Sequence, residues 1–366
     1  MVRQSRINYR SISKINYGNI KMYTLRLLFD VRGWAYYNRC VALQKNAPSD
    51  FDVSIGSNYG QAFSQKPHDM VLQLAYNYTK DLRNCLTRHD YRFPLVSSYN
   101  IGWGYSNHWL NPVIRDSDKV IINNREMWEK SGKHPKTHPI SNGVDRDIFQ
   151  LRKPIENRKP RILWIGSRFH RKTKNYDRIL VPLEKELKKR HISCDFKLVD
   201  SVGKNRMTPE QMTYWYNTGS IYVVASSFEG TPNPALEAAS CGCTVVSTRV
   251  GNMPELIKDG VNGYLCDTSM KSILEGVLKA VENQKELANN MQETIKPWDW
   301  KIKTDEYYDF FRKTIEEYKK NGYSKNKTKA KTPIEKSPSG TTKTAIPARH
   351  RQPRRTTTRV RTLRRI

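Results

Sequence analysis

The stretch from Ile221 to Arg249, IYVVASSFEGTPNPALEAASCGCTVVSTR, limits the possible fold more than any other part of the chain. Ile221 to Ala225 is a short β-branched, apolar run, the composition of a strand covered on both faces of a parallel sheet. A polar turn carrying Glu229, Gly230, Thr231, Pro232 and Asn233 comes next. Pro234 suits the first turn of a helix, Leu236, Glu237 and Ala238 its interior, and Gly242 its end. Cys243 to Ser247 is a second apolar strand, so the unit reads strand–loop–helix–strand and predicts an α/β fold. In open α/β sheets ligands bind outside the carboxyl ends of the strands, where this loop and helix start fall. Glu229 and Glu237, eight positions apart, then point into one crevice. A carboxylate accepts hydrogen bonds from sugar or ribose hydroxyls, and the free N–H groups of a helix start suit a phosphate.

A chain of 366 residues is long enough for two domains with separate cores. The formal net charge of +29 implies a polyanionic partner, whether nucleic acid, an anionic membrane surface or an anionic substrate. Charge alone does not choose among them. The cysteines at 40, 85, 194, 241, 243 and 266 form no CxxC pair and read as buried thiols in a reducing cytoplasm. Residues 1–21 form a basic extension without the apolar run of a secretory signal. No later run approaches the roughly 20 apolar residues of a membrane helix, so a soluble or peripheral cytoplasmic protein is expected. Residues 321–366 carry 14 lysines and arginines against Glu335 alone, with Ser, Thr and Pro between them. Such a tail cannot bury a core and is expected to be disordered. It suits salt-sensitive attachment to the phosphates of DNA or RNA.

The first domain is expected over 22–150, with strands at Thr24–Val31, Phe51–Ile55, Met70–Leu74, Pro94–Ser98 and Lys119–Ile122. Gly33, after the first strand, permits close approach of backbone to a ligand. Trp34 beside it reads equally as a stacking platform or as core. Trp103, Tyr105 and Trp109 suit stacking on a base or sugar, or a helix packed on the sheet. Residues 151–160, rich in Lys, Arg and Pro, read as a linker. The second domain follows over 161–298, beginning with a strand at Ile162–Gly166. Terminal helices are expected over 269–292 and 300–319, the latter within a segment, 299–320, that packs back on the first domain. Three Asp-x-Asp triplets, at 50/52, 116/118 and 145/147, read as structural, and no His/Cys cluster has metal spacing.

EGTPNPALEA (229–238), the strand TVVST and the segment VGNMPELIKDGVNGYL (250–265) together resemble retaining glycosyltransferase family 4. Glu229 and Glu237 stand at the family's E-x7-E acids, and Asn252 replaces a usual second glycine. Residues 139–145, PISNGVD, are similar to the turn that closes the family's first domain. Gly166-Ser167-Arg168 through Lys174-Asn175 is similar to its G-R-x5-K-G/N loop, with Ser167 inserted. The resemblance implies a GT-B architecture, two Rossmann-like domains with the donor cleft between them. It implies a nucleotide-sugar co-substrate, a UDP-sugar first among them, and no essential metal. Arg168 and Lys174 would hold the diphosphate and stabilise the leaving group, and Glu237 would take the ribose hydroxyls. Glu229 would contact the sugar, helped by backbone from Gly230 to Asn233, while Gly33 and Gly166 would let backbone approach the donor.

On the acceptor side the implied residues are Trp34, Tyr99, Asn100, Tyr105 and His108. Tyr99-Asn100 stands where many members carry a histidine. A lone histidine such as His108 is more often a surface or packing residue. The chain also resembles the compact glycosyltransferases of bacteriophages, and with its charge this suggests a hydroxymethylated DNA base as acceptor. The alternatives are a surface-glycan or lipid-linked acceptor at an anionic membrane, or a non-catalytic nucleic-acid-binding protein on a degenerate transferase fold. No protein partner is implied.

Overall fold

The structure is a computed structural model that describes residues 21–57, 68–88, 92–99, 107–200 and 205–321. Its first sheet has six parallel strands: β1 (Tyr23–Phe29), β2 (Phe51–Ser57), β3 (Met70–Gln73), β4 (Leu95–Tyr99), β5 (Lys119–Ile122) and β6 (Thr137–Pro139). Their spatial order is β2-β1-β3-β4-β5-β6. The connections carry α1 (Ala35–Lys45), α2 (Thr79–Arg88), α3 (Asn107–Asp116) and α4 (Arg125–Lys130). Asn124 caps α4, its Oδ1 accepting from the Met127 N–H.

The second sheet has five parallel strands: β7 (Arg161–Ser167), β8 (Ser193–Val199), β9 (Ile221–Val224), β10 (Thr244–Thr248) and β11 (Gly263–Cys266). They stand in the order β11-β10-β9-β7-β8. Its helices are α5 (Val181–Lys189), α6 (Pro209–Tyr216), α7 (Asn233–Ser240) and the short α8 (Met253–Leu256). These are followed by α9 (Met270–Glu282), α10 (Gln284–Ile295) and α11 (Trp300–Lys320).

Strand alternation explains why the core strands read as continuous apolar runs. Ile162 and Trp164 of β7, with Ile221 and Val223 of β9, face one cluster. Leu163 and Ile165, with Tyr222 and Val224, face the cluster on the opposite side. Helices cover both faces, so no polar residue is required at alternate positions. The two Rossmann-like domains and their order match the GT-B expectation.

Local details depart from the sequence reading. The single helix expected over 269–292 is two, broken at Asn283, whose φ of −115° and ψ of 23° leave the helical region. Strands β6 and β11 are too short, and too broken by Pro139 and Gly263, to announce themselves. The linker segment is clamped: the buried Arg158 donates to the carbonyls of Lys153, Gly219 and Cys241 and to Asn217 Oδ1. Helix α11 crosses to the first sheet. Its Tyr307, Tyr308 and Phe311 pack in one cluster with Leu25, Leu27 and Leu43. Arg312 forks onto Asp50 at 2.7 and 2.8 Å. Asp118 pairs with Arg83 at 2.6 Å and Asp145 with Lys45 at 2.9 Å, so each Asp-x-Asp triplet has at least one member in an ion pair. Among the described residues, no helix is long and apolar enough to cross a membrane.

Candidate functional site

In the second sheet β7 lies between β9 and β8, so the connections after β7 and β9 diverge at their carboxyl ends. That divergence opens the crevice, and the two loops expected to bind the donor flank it. Asn175 ties them together: its Nδ2 donates to the Ala225 carbonyl and to Ser227 Oγ, both at 2.8 Å. The Ser227 N–H donates to the Thr173 carbonyl at 3.0 Å. Asn175 has φ +52°, a left-handed backbone tolerated by glycine and asparagine. This is the physical reason that a Gly or Asn suits the position after Lys174.

So held, Lys174 meets Glu229. Lys174 Nζ donates to Glu229 Oε1, which also accepts from Ser226 Oγ at 2.6 Å. The two charged side chains are only 18% and 11% exposed. Glu229 lies on a cavity of about 430 Å³ with Asn124, Met127, Ser227, Arg249 and Gly251. His170 stands near the pair, and burial followed by the Lys174 charge lowers its pKa.

Glu237, in the second turn of α7, opens on a larger cavity of about 450 Å³. Gly166, Ser167, Asp200, Met207 and Asn233 form its second-domain wall; Asn38, Arg39 and Asn142 belong to the first-domain wall. The acids expected in one crevice therefore face two cavities of the interdomain cleft. Glu229 sits on the loop, turned toward α4, whereas Glu237 is carried by the helix to the sheet side. The buried Tyr216 hydroxyl donates to Glu237 Oε2 at 2.9 Å. Burial pushes the Glu237 carboxyl up to about 7, and the Tyr216 hydrogen bond opposes that rise.

The loop between the acids is pinned from both domains. Asn124 Nδ2 donates to the Gly230 carbonyl at 3.0 Å, and Asn142 Nδ2 donates to Asn233 Oδ1 at 3.1 Å. Thr231 is buried near Asn252, and Pro232 stands at the N-cap of α7. Gly251 has φ +56°, and a Cβ there would lie 2.6 Å from the Gly230 carbonyl oxygen. Gly33, with φ +82°, accepts at its carbonyl from Arg206 Nη2 at 2.9 Å, so the first loop of one domain meets the other. Gly166 is buried in the wall. Arg168 is exposed, its Nε 3.5 Å from Asp200 Oδ1.

The acceptor-side expectations fare unevenly. Trp34 is half-buried at the N-cap of α1 with its Nε1 enclosed. Tyr99 is fully buried and packs edge-on to Tyr76, in a cluster with Leu110 and Val113, away from the cleft. Alternation along β4 turns Ser98 toward α1 instead, where it accepts from Arg39. Asn100 and Tyr105 lie outside the described residues, as does the side chain of His108 at the start of α3. Sequence reasoning missed Ser226, Tyr216, Asn124, Asn142 and Arg39. Asn124 carried a helix-cap signal, and Asn142 stood within the PISNGVD segment.

Residues 181–298 match the family model described as glycosyl transferases group 1. That region takes in Glu229 and Glu237 and begins after Arg168 and Lys174. Among curated proteins, one component of the human phosphatidylinositol N-acetylglucosaminyltransferase is 36% identical over 99 residues, 25% of this chain and 20% of that one. The D-inositol 3-phosphate glycosyltransferase of Thermobifida fusca is 37% identical over 57 residues, 16% of this chain and 13% of that protein. The chain thus spans a quarter or less of the length of either relative.

Solved structures extend the likeness to both domains. Sucrose-phosphate synthase from Thermosynechococcus elongatus superposes with a TM-score of 0.61 at 12% identity, over 81% of this chain and 100% of that one. Anabaena HepE in complex with UDP does so with a TM-score of 0.58 at 13% identity, over 80% and 100%. These likenesses show the fold.

Proposed function

We propose that this protein is a nucleotide-sugar-dependent glycosyltransferase whose donor lies in the interdomain cleft, against the second domain. The observation that carries the reading is the constellation at the divergence of the second sheet. Lys174 and Glu229 pair across the two loops that flank the crevice, and Tyr216 of α6 pairs with Glu237 of α7; all but Lys174 lie within the matched region. The complexes of Anabaena HepE with UDP and with UDP-glucose support a UDP-sugar as donor. Lys174, with Arg168 at the rim, faces the diphosphate, and their positive charge stabilises the leaving group as its bond to the sugar breaks. Glu237 takes ribose hydroxyls and Glu229 the sugar. Transfer with retention follows from the family resemblance. The acceptor oxygen attacks the anomeric carbon from the face that the diphosphate leaves, and its proton passes to the departing phosphate oxygen.

The net charge of +29 favours a polyanionic acceptor, and a hydroxymethylated base in DNA is the preferred one. The names of the matched relatives favour a second reading, a small or lipid-linked acceptor bearing phosphate. The test incubates the full chain with a panel of nucleotide sugars and duplex DNA containing hydroxymethylcytosine, hydroxymethyluracil or ordinary bases. Released nucleoside diphosphate is measured, and digested nucleosides are weighed by mass spectrometry. A sugar-sized gain on one modified nucleoside supports the DNA acceptor. Donor turnover without such a gain transfers the assignment to the second reading. Absence of donor binding and turnover would refute the transferase reading and leave a nucleic-acid-binding protein.

A further inference from the structure

Arg39, in the second turn of α1, is 2% exposed and lines the larger cavity from the first-domain side. Its Nη1 donates to Ser98 Oγ at 2.8 Å and to Asn123 Oδ1 at 3.3 Å. Its Nη2 donates to the Tyr307 hydroxyl, and its Cζ lies 5.0 Å from the Tyr307 ring centroid. All these partners are neutral. Among the described residues, no carboxylate is paired with this guanidinium, although Arg83, Arg161 and Arg312 each have one. A buried cation is costly unless it is matched by an anion, and here the described residues supply only dipoles and a π face.

The surroundings repeat the imbalance. Among the described residues, Arg39 Nε and Asn123 Nδ2 are buried donors with no acceptor, and so is Trp34 Nε1 at the start of the same helix. Ser98 lies near the carboxyl end of β4, and Asn123 directly follows β5. That is the edge of the first sheet where ligands of α/β folds bind. Tyr307 fixes the arrangement from α11, its hydroxyl also donating to the Ser141 carbonyl at 3.2 Å. Arg39 brings an unmatched positive charge to the cavity wall, with Asn123 against it on the buried side, and such a group selects an oxyanion, a group that only accepts.

We propose that Arg39, with Asn123, forms an oxyanion-binding subsite on the first-domain side of the cleft, and that it takes a phosphate or carboxylate group of the acceptor. Assigning the anion to the acceptor rests on the reading of the cleft above, which gives the donor diphosphate to the second domain. The subsite itself does not depend on that reading. It makes Arg39 a specificity-determining residue: acceptors bearing an oxyanion are favoured over neutral ones.

The test uses the full chain, with inorganic phosphate as probe at constant ionic strength and melting temperature as readout. UDP binding is measured first, by calorimetry. Phosphate is then titrated with and without saturating UDP into wild type, Arg39→Met and Asn123→Asp. The aspartate would place a carboxylate where Asn123 Oδ1 now stands 3.3 Å from Arg39 Nη1, an internal counter-ion for the same guanidinium. Without phosphate, Asn123→Asp should melt at or above the wild-type temperature, which separates lost binding from misfolding. With UDP bound, apparent phosphate affinity should fall about tenfold in both variants. Wild-type phosphate affinity in Asn123→Asp would overturn the subsite. Phosphate binding that depends on Arg39 but disappears in UDP would overturn the acceptor assignment, because the anion is then the donor's. Failure of UDP to bind refutes the UDP-sugar donor proposed above, and the Arg39-dependent phosphate difference still decides the subsite.

Discussion

Replacing Glu237 with glutamine should remove a pH-dependent instability that burial builds into the larger of the two cavities. The Glu237 carboxyl stands at about 7 instead of the ordinary 4.5, raised by desolvation and held back only by the Tyr216 hydroxyl. For a carboxyl raised by folding, the stabilising contribution is fully present below the unfolded value and disappears as pH rises through the folded value. Below about 4.5 the group is neutral in both states and contributes no penalty. Above about 7 the folded protein must carry a charge that water would solvate better. At about 1.4 kcal/mol per pH unit, the difference amounts to about 3 kcal/mol between about pH 4 and about pH 8. Denaturant unfolding of wild type and Glu237→Gln, without nucleotide, measures it directly. The stability of wild type relative to the variant should fall by about that amount over this range. Tyr216→Phe, which removes the opposing hydrogen bond, should shift the fall to higher pH. A wild-type-minus-variant difference that stays flat with pH would refute the reasoning.

Two further perturbations probe the loops around the crevice. Lys174→Met leaves the Glu229 carboxylate enclosed with Ser226 as its remaining partner. It should cost about 3–5 kcal/mol in denaturant unfolding, most of it recovered in the Lys174→Met, Glu229→Gln double variant. Additive losses would show that the two side chains are not coupled. Gly251→Ala forces a Cβ to within 2.6 Å of the Gly230 carbonyl oxygen at φ +56° and should destabilise the protein by more than strained backbone alone, about 1–3 kcal/mol. Gly260→Ala, at φ +76° with open space around it, is the control and should cost about 1 kcal/mol. Equal losses in thermal unfolding would mean that the close approach carries no weight.

Much of the fold was legible because it is written in local periods and caps. Lys119–Ile122 is the strand its apolar run suggests. Thr208-Pro209-Glu210 opens α6 with a complete capping box, Thr208 and Gln211 exchanging side-chain and backbone hydrogen bonds. Gly242 ends α7 with φ +92°, a conformation that L side chains rarely adopt. The unit from Ile221 to Thr248 is the parallel β9–α7–β10 arrangement its residues imply. Where elements were short or interrupted, as at Pro139 in β6 and Gly263 in β11, period and composition were too weak, and pairing with a neighbouring strand decided the outcome.

The candidate site was legible only as a set of residue types. Spacing in the chain places Glu229 on a loop and Glu237 on a helix, because those positions depend on local backbone preference. Which cavity each faces depends on the sheet order β9-β7-β8, and that order brings Lys174 to Glu229 across 55 positions of sequence. Tyr99 read as a cleft residue, yet the alternation of β4 and the packing of α3 bury it and present Ser98 instead. Arg39 carried no signal at all. Its setting is assembled from α1, β4, the end of β5 and, 268 residues away, Tyr307 on the returning α11. Local sequence thus determined the elements and the chemistry available on each, through steric periods and hydrogen-bond caps. Only tertiary packing decided which charges are buried, which find a partner and which are left facing the cleft, because desolvation is set by everything the fold brings around a group.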